Sequence, residues 1–332
     1  MSRVAAAAST QHAVDAAARL VADGGNAVDG ALAAALVAMV VEPGICSLGG
    51  GGYVTVLPAD GSAPVVVDGN VEMPGRGLAT ERRGRGLWEV TTGYGGGITM
   101  TVGPGSVATP GAVPALEAAH RRFGRAPWPE VVAPAGEVAQ DGFPLSAASA
   151  YYLAYVHDSV YGWHAGSRPV LHDADDAMLA HGTPVHVPHL ADTLALLADE
   201  GASAFTTGEV GRRIVAEVSA HDGLLTAEDL AVYEVVVRPA LTVRRGDWTL
   251  ATTPPPVIGG VVLASLLTLM GEGPHAGWRD ADVARFADVC EAVLGWRRDH
   301  LDLATDRETA SARLLALAAT GSPGALRGGT LG

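Results

Sequence analysis

Apolar side chains recur along the chain either every three or four positions, as in helices, or at alternate positions, as in strands. A few segments are instead apolar almost throughout. In residues 10–22 they recur every three or four positions, which predicts an amphipathic helix that begins at Thr10. Residues 27–41 are almost wholly apolar and rich in alanine, which predicts a helix buried on all sides. Asn26 is placed to cap this helix, and Asp29, three residues later, forms a loose capping box.

The remaining pattern mixes strands and helices without an internal repeat. Alternating or β-branched runs predict strands at 53–57, 65–68, 88–91, 98–102, 233–238, 241–245 and 248–252. Helical periods predict helices at 112–123, 128–139, 146–155, 189–200, 207–220, 259–270, 280–302 and 303–320, with a capped turn at 225–230. Three consecutive prolines at 254–256 predict an extended segment. No linker divides the chain, so we predict a single domain over residues 1–332.

Four consecutive glycines, at positions 49–52, follow the buried helix and lead directly into a strand. Glycine in a loop costs backbone entropy, so the run indicates a place where side chains would not fit. One explanation is that a ligand or an oxyanion contacts the exposed backbone amides, and the other is that two backbone segments pack closely together. The spacing of the glycines does not distinguish these two explanations. The loop is not a phosphate-binding loop, because no Gly-Lys-Ser/Thr follows and it leads from helix to strand.

Charge and hydropathy narrow the classes of partner. A net charge of −14 over 332 residues argues against nucleic acid or an anionic membrane surface as a partner. Charged residues make up only 17% of the chain, which indicates that another chain covers part of the surface. The apolar helix is shorter than the ~20 residues of a membrane span, and no secretory signal is evident, so we expect a cytoplasmic protein.

Cysteine and histidine residues give two weak signals for chemistry. Cys46 and Cys290 form no disulfide framework, so we expect both to be reduced and structural, although Cys46 beside the glycines leaves a reactive thiol open. Residues 157–189 hold six of the eleven histidines. The candidate metal ligands there are His172, Asp173, Asp175, Asp176, His181, His186 and His189. None shows a strong ligand spacing, so we expect surface hydrogen bonds and no metal.

Several blocks of the sequence resemble the γ-glutamyltransferase family, and they occur in the order found in that family. The blocks are GGNAVD at 24–29, EP at 42–43, LGGGGY at 48–53, GSVATPGA at 105–112, FG at 123–124 with Trp128, VAPA at 132–135, DGFP at 141–144, GLLTAEDL at 223–230 with Tyr233, and PPP at 254–256 through GG at 259–260. Because the blocks are many and span roughly residues 5–300, the resemblance is specific.

The resemblance implies an α+β fold of the N-terminal-nucleophile hydrolase type, a four-layer αββα sandwich that a second chain completes. Members of this family are made as one precursor that cuts itself into a large and a small subunit. The threonine that begins the small subunit is the nucleophile, its own α-amine is the general base, and backbone amides stabilise the oxyanion. The family uses no metal for this chemistry, and we expect no cofactor.

This chain resembles only the large subunit, and it ends at Gly332, where the cleavage point of the family would fall. The catalytic threonine is therefore expected at the start of a partner chain, after Gly332, and no catalytic residue is expected in this chain. The sequence also lacks a Gly-x-Ser-x-Gly elbow or another local nucleophile motif. Thr330 is a less favoured nucleophile, because no strand-forming sequence follows it. The chain is either a mature large subunit or one product of a split gene pair.

One segment bears on the substrate. In the family, an Asp-x-Arg-Glu type segment follows the second strand, and its arginine binds the α-carboxylate of the glutamyl group. Here the corresponding run is DGNVEMPGR at 68–76, with Asn70 or Val71 where the arginine would stand. Asparagine cannot replace the bidentate arginine–carboxylate pair, so a plain γ-glutamyl substrate is disfavoured. Arg76 is a candidate for a displaced substitute.

The candidate substrate-binding residues are Asn70, Glu72, Arg76 and Tyr94, for which ordinary loop hydrogen bonding is the alternative interpretation. We expect an amidohydrolase or acyltransferase that acts on small amides or acylated secondary metabolites, with a small subunit and a small-molecule substrate as partners. A second hypothesis is a binding subunit or a biosynthetic catalyst that reuses the pocket without the threonine chemistry. A third is a self-sufficient α/β domain.

Overall fold

A computed structural model describes residues 4–271 and 277–328 of the chain. The helices are α1 (Gln11–Ala22), α2 (Ala27–Val41), α3 (Ala112–Phe123), α4 (Trp128–Asp141), α5 (Ala147–Val156), α6 (Arg168–Leu171), α7 (Leu190–Glu200), α8 (Ser203–Thr206), α9 (Glu209–Ala220), α10 (Ala227–Ala231), α11 (Ile258–Met270), α12 (Asp280–Trp296), α13 (Arg307–Ala318) and α14 (Pro323–Arg327). The strands are β1 (Gly52–Val56), β2 (Val65–Gly69), β3 (Trp88–Thr92), β4 (Ile98–Val102), β5 (Phe143–Pro144), β6 (Pro184–Val185), β7 (Val236–Pro239), β8 (Leu241–Arg245) and β9 (Trp248–Thr252). The fold is therefore α+β, as the sequence predicts.

Contacts between Cα atoms divide the chain into two compact units. The first contains residues up to 52 and residues 69–235, and the second contains residues 53–68 and the chain from 236 onward. This division does not test the expectation of a single domain over 1–332, which stays a prediction. Among the described residues, no helix combines the length and the hydropathy needed to cross a membrane.

The first unit is built on packed helices. Helix α2 packs against α1, α3 and α4, and α4 also packs against α7. Two antiparallel pairs accompany the helices: the β3–β4 hairpin, which runs from Trp88↔Val102 to Thr92↔Ile98, and the short β5–β6 pair. The helices contribute most of the buried core of this unit, because each presents an apolar stripe that only another element can cover.

The capping box predicted at the start of α2 is confirmed. The side chain of Asn26 accepts hydrogen bonds from the amides of Val28 and Asp29, and the Asp29 carboxylate accepts one from the amide of Asn26, at 2.7 Å. Asp29 is fully buried and also accepts hydrogen bonds from the amides of Arg125, at 3.0 Å, and Ala126, at 3.1 Å. One carboxylate thus joins the first turn of α2 to the loop between α3 and α4.

The expectation that α2 is buried on all sides is wrong for this chain. Leu32, Leu36 and Val37 are fully buried, but Ala27 and Ala31 are exposed. A helix that is apolar all round carries no polar face to mark its exposed side, so its orientation cannot be derived from periodicity. Here the exposed side is a stripe of alanines, which expose little apolar area.

The second unit combines small sheets with a helical cluster. Strands β1, β2 and β7 form a three-stranded sheet in that order, and β2 pairs antiparallel with β7 in the register Val65↔Pro239. Strands β8 and β9 form a hairpin, and β8 packs against α11. The buried core of this unit lies among α11 to α14 and comprises Val261, Val262, Leu269, Met270, Val289, Ala292, Val293, Trp296, Leu301, Leu314, Ala318 and Leu326.

Most predicted elements occur within two residues of their expected ends, and the exceptions have local causes. The helix predicted over 207–220 is α9, which begins at Glu209, and the short helix α8 that precedes it was not predicted. The amide of Gly208 donates to the carbonyl of Ser203, which ends α8 before α9 begins. The strand predicted from residue 233 begins at Val236, and the side chain of Tyr233 before it donates a hydrogen bond to a loop carbonyl.

The C-terminal part of the described chain departs further from the prediction. The helix predicted over 280–302 ends at Trp296 and continues as a π-helical turn at Arg297–Leu301. Residues 255–256 form a turn rather than an extended segment. Helix α14 was not predicted, because glycines surround it in the sequence, but Pro323 begins it and Leu326 is buried. Thr330 and Gly332 lie outside the described residues.

Removal of the buried Asp29 carboxylate should destabilise the fold. In Asp29→Ala, the amides of Asn26, Arg125 and Ala126 lose their acceptor, so we expect the free energy of unfolding to fall by about 3 kcal/mol. Chemical denaturation measures this. Asp15→Ala is a control at an exposed helical aspartate and should change the free energy of unfolding by less than about 0.5 kcal/mol. Equal effects of the two substitutions would contradict the role given to Asp29.

Candidate functional site

The loop at residues 69–76 follows strand β2 and holds three of the four predicted substrate-binding residues. Its backbone is tied at several points. The carbonyl of Asn70 accepts a hydrogen bond from the hydroxyl of Tyr233, at 2.6 Å. Glu72 and Thr109 exchange two backbone hydrogen bonds, at 3.1 and 2.9 Å. This loop, which we call the substrate loop, is therefore a fixed structure and not a free connection.

The far end of the substrate loop is held by the buried carboxylate of Asp229. This carboxylate accepts hydrogen bonds from the amides of Gly75, at 2.8 Å, and Arg76, at 3.0 Å. It also accepts hydrogen bonds from the amide and the hydroxyl of Thr226, both at 2.9 Å, in the capping box of α10. Burial alone raises the pKa of Asp229, but these hydrogen bonds outweigh it, and the pKa lies below its ordinary value.

Two carboxylates neutralise the guanidinium of Arg76. Nη2 of Arg76 lies 2.6 Å from Oε2 of Glu72, and Nε lies 3.6 Å from Oδ1 of Asp229. A substrate carboxylate that bound Arg76 would have to compete with both of them. The structure thus brings together Glu72 and Arg76, which were predicted as separate binding residues, and it gives both an internal partner. Their roles in binding substrate stay predictions.

The glycine run at 49–52 lies against the substrate loop. The carbonyl of Gly50 accepts hydrogen bonds from the amides of Gly111 and Ala112, at 3.1 and 3.0 Å, in front of helix α3. A Cβ atom on Gly51 would lie 2.8 Å from the amide nitrogen of Val71, which is closer than real Cβ contacts. Close backbone packing therefore explains the glycine at position 51. A Cβ atom on Gly52 would meet nothing within 4 Å, so packing does not explain that glycine.

Tyr94, the fourth predicted residue, lies in an aromatic cluster. Its ring packs edge-on against three tyrosines of α5, with centroid distances of 5.0 Å to Tyr152, 5.9 Å to Tyr155 and 6.4 Å to Tyr151. The cluster joins the β3–β4 turn to α5. The sequence did not signal this cluster, because the tyrosines of α5 lie more than fifty residues from Tyr94. A role for Tyr94 in binding substrate stays a prediction.

An apolar cavity of about 410 Å³ opens beside the glycine run. Its walls come from the end of α2, from the glycine run, and from α5 and α6; they include Val40, Pro43, Leu48, Leu153 and Leu171. Tyr161 also lines it and donates a hydrogen bond to the carbonyl of Gly44; burial raises the pKa of Tyr161 to about 12. The cavity is large enough for a small apolar group.

Cys46 lines the same cavity but is not arranged as a nucleophile. Burial and the neighbouring Glu42 carboxylate raise its pKa to about 11, so the thiol is protonated at neutral pH. Its Sγ lies 3.3 Å from the carbonyl of Ala38. Cys46 and Cys290 are both free, as expected, and each is half-buried. The alternative of a reactive thiol at Cys46 is thereby disfavoured.

The candidate metal ligands in 157–189 make separate local contacts. Nε2 of His172 lies 2.8 Å from Nδ1 of His157, and Asp176 accepts two hydrogen bonds from Arg168. Asp173 accepts a hydrogen bond from the amide of Asp175 within one turn. The other histidines of this set, His181, His186 and His189, are exposed. The expectation of surface hydrogen bonds holds for Asp173 and Asp176 and is wrong for His172, which is buried.

A different group of possible ligands comes together in the first unit. One ligand atom each from His164, Glu217 and His221 lies within 4.8 Å of the others. This group was not predicted from the sequence, because Glu217 is 53 residues from His164. The available signal was the spacing of Glu217 and His221, which are one helical turn apart.

Comparisons with known proteins identify the family. The family model of γ-glutamyltranspeptidase matches residues 13–315. The glutathione hydrolase proenzyme of Pseudomonas aeruginosa is 33% identical over 306 residues, which cover 90% of this chain and 52% of that protein. The glutathione hydrolase proenzyme of Escherichia coli is 28% identical over 264 residues, covering 80% of this chain and 43% of that protein. The chain belongs to the γ-glutamyltranspeptidase family, and it spans about half the length of these curated relatives.

Solved structures show the same fold. The γ-glutamyltranspeptidase of Pseudomonas nitroreducens, solved in complex with L-DON, has a TM-score of 0.77 and 26% identity, covering 97% of this chain and 96% of that chain. The Helicobacter pylori enzyme has a TM-score of 0.77 and 21% identity, covering 95% of this chain and 92% of that chain. These likenesses confirm the predicted N-terminal-nucleophile hydrolase fold. Its completion by a second chain stays a prediction.

The lowered pKa of Asp229 makes part of the stability pH-dependent. A carboxyl whose pKa is lower in the folded than in the unfolded state stabilises the fold above the unfolded pKa, about 3.9, and this stabilisation is lost as the pH falls through the folded pKa. We expect Asp229→Asn to lower the free energy of unfolding by about 2 kcal/mol at pH 7. The difference from wild type should shrink as the pH falls below about 4.

Denaturation curves recorded between pH 7 and pH 3 measure this difference. Asp222→Asn is the matched control, because Asp222 is exposed and its left-handed backbone, with φ of +62°, tolerates asparagine. The control should leave the free energy of unfolding nearly unchanged at every pH. A difference for Asp229→Asn that stays constant down to pH 3 would show that the carboxylate charge is not the cause.

Proposed function

We propose that this chain is the large subunit of an amidohydrolase or acyltransferase of the γ-glutamyltranspeptidase type. The family match over residues 13–315 carries this proposal. The chain spans about half the length of each of these curated relatives. A partner small subunit that bears the N-terminal threonine is the proposed source of the remainder. The proposed assembly is a heterodimer that contains at least one copy of each subunit.

The proposed chemistry is acyl transfer through the partner's threonine. The hydroxyl oxygen attacks the amide carbonyl while the α-amine of the same threonine accepts its proton. The leaving amine takes that proton, and an acyl-enzyme ester remains. Water or an acceptor amine then attacks the ester and restores the threonine. In this scheme the chain described here contributes walls of the substrate pocket, and backbone amides stabilise the oxyanion.

The substrate is proposed to be an acyl group other than plain γ-glutamyl. Two observations support this proposal. Asn70 or Val71 stands where the family has its carboxylate-binding arginine, and the neighbouring Arg76 already pairs with Glu72 and lies 3.6 Å from Asp229. The apolar cavity beside the glycine run would accept an apolar acyl or leaving group. Small amides and acylated secondary metabolites are therefore the proposed substrate class.

The loss of the arginine also favours a second candidate function. A scaffold that no longer binds the glutamyl carboxylate could serve as a binding subunit or as a biosynthetic catalyst without acyl transfer. The first residue of the partner chain distinguishes the two candidates. Threonine, serine or cysteine there retains the acyl-transfer proposal, and any other residue excludes it.

The first experiment is to purify this chain with every polypeptide that accompanies it and to determine their masses and N-terminal sequences. We expect a second chain that begins with threonine. The complex should hydrolyse small N-acyl anilides faster than γ-glutamyl-p-nitroanilide. The chain purified alone as a stable monomer, with a cooperative melt and no partner, would contradict the heterodimer.

Introduction of an arginine into the substrate loop should restore recognition of γ-glutamyl compounds. A charged hydrogen bond to the α-carboxylate contributes about 1.5–3 kcal/mol, so either Asn70→Arg or Val71→Arg should raise kcat/KM for γ-glutamyl-p-nitroanilide by about 10- to 100-fold. Met73→Arg is the matched control, because Met73 is 85% exposed in the same loop. This substitution adds the same charge but places it away from positions 70 and 71. Equal gains from all three variants would indicate a general charge effect and contradict the assignment.

A further inference from the structure

A histidine–glutamate–histidine group lies on the surface of the first unit. Nε2 of His164 lies 2.8 Å from Oε1 of Glu217, and Nδ1 of His221 lies 3.4 Å from the same oxygen. The three side chains are accessible to solvent, with exposed fractions of 32% for His164, 58% for Glu217 and 43% for His221. The side chains therefore converge at a point that an ion can reach.

Two separate segments position the three side chains. Glu217 lies on α9 and His221 follows its end, one turn later, so their side chains project from the same side of the helix. His164 comes from the turn between the π-helical turn at His157–Tyr161 and α6. Gly166 makes room for its ring, because a Cβ atom there would lie 3.0 Å from Cε1 of His164. The convergence depends on this packing and not on sequence proximity.

An aromatic ring orients both histidines. The ring of Trp163 packs edge-on against His164, at 5.3 Å between centroids, and against His221, at 5.6 Å. Trp88 in turn packs edge-on against Trp163, at 5.3 Å. Rings held in this way lose little side-chain freedom when they bind a ligand, so the arrangement is partly organised in advance.

A cavity of about 370 Å³ adjoins the group. His164, Glu217 and His221 all line it, together with apolar residues that include Val102, Pro104, Val160 and Val218. An ion held by the three side chains would therefore keep one side open toward the cavity. Three protein ligands with one open position are typical of zinc sites that bind an exchangeable fourth ligand.

We infer that His164, Glu217 and His221 form a binding site for a divalent transition-metal cation of the zinc type. Imidazole nitrogen suits Zn²⁺, whereas Mg²⁺ and Ca²⁺ prefer sites made of oxygen ligands. Bonds of about 2.0–2.2 Å to a central Zn²⁺ place neighbouring ligand atoms a little over 3 Å apart. The two separations that involve Glu217, 2.8 and 3.4 Å, are near this value, and all three ligand atoms lie within 4.8 Å of one another. The site goes beyond the proposed acyl transfer, which uses no metal.

Cation binding replaces hydrogen bonds that hold the group without an ion. Glu217 now lies between the two rings, and Nδ1 of His221 also lies 3.0 Å from the carbonyl of Glu217. When the cation binds, the proton on each ligating nitrogen must leave that nitrogen, and in a neutral ring the other nitrogen takes up a proton in its place. Nδ1 of His164 then carries the proton of that ring and must leave its contact with the amide of Gly166, at 3.1 Å. The cation thus links the turn at 162–167 to the end of α9.

Titration calorimetry with Zn²⁺ on the chain as purified, without a polyhistidine tag and with any partner retained, tests the inference. We expect binding of one Zn²⁺ per chain at micromolar concentration, an increase in Tm that EDTA reverses, and no such effect of Mg²⁺. His221→Ala and Glu217→Gln should each weaken Zn²⁺ binding at least tenfold. The exposed side chains allow both variants to fold, which their Tm without metal would verify.

A further variant separates this site from ordinary surface binding. His189→Ala is the matched control, because His189 is an exposed histidine 3.4 Å from Asp192 and belongs to no group of three possible ligands among the described residues, and it should leave the affinity unchanged. An unchanged Kd in both His221→Ala and Glu217→Gln, or binding only at millimolar Zn²⁺, would overturn the inference.

Discussion

Buried carboxylates at helix starts hold the first unit together. Asp29 and Asp229 each occupy the third position of a capping box, where an aspartate ordinarily serves only its own helix. Here both are fully buried, and each also accepts backbone amides from a loop far away in sequence. A buried charge is tolerated only when hydrogen bonds satisfy it, so each aspartate requires its loop and each loop requires its aspartate.

The substrate loop depends on this constraint. Asp229 accepts hydrogen bonds from the amides of Gly75 and Arg76, and Thr109 pairs with the backbone of Glu72. The glycine run packs closely against the loop at Val71. The loop therefore has one defined conformation before any substrate arrives. Preorganisation of this kind lowers the entropic cost of binding, and it is the means by which a scaffold can place a specificity-determining side chain accurately.

Local signals predicted local structure well. The capping box at Asn26, the capped turn at 225–230 and most strand and helix ends were evident from the sequence, because caps and periodic runs act within a few residues. The prediction that α2 is buried on all sides was wrong, since a uniformly apolar helix does not mark which side is covered. Three kinds of contact could not be predicted: those of Asp29 and Asp229 with their loops, those of Tyr94 with the tyrosines of α5, and that of His164 with Glu217. These contacts join residues tens of positions apart, and only the folded chain brings them together.

The anchors of the substrate loop also determine where this loop can evolve. Asn70, Glu72 and the pair Gly75–Arg76 are tied through their backbones, so an insertion or deletion at any of them would shift the loop off its partners. Between these ties lie Met73, which is 85% exposed, and Pro74. Insertions, deletions and substitutions at Met73 and Pro74 can therefore be tolerated without loss of these hydrogen bonds. We therefore expect related chains to differ most at this tip of the loop, which is the part that solvent, and hence an arriving molecule, meets first.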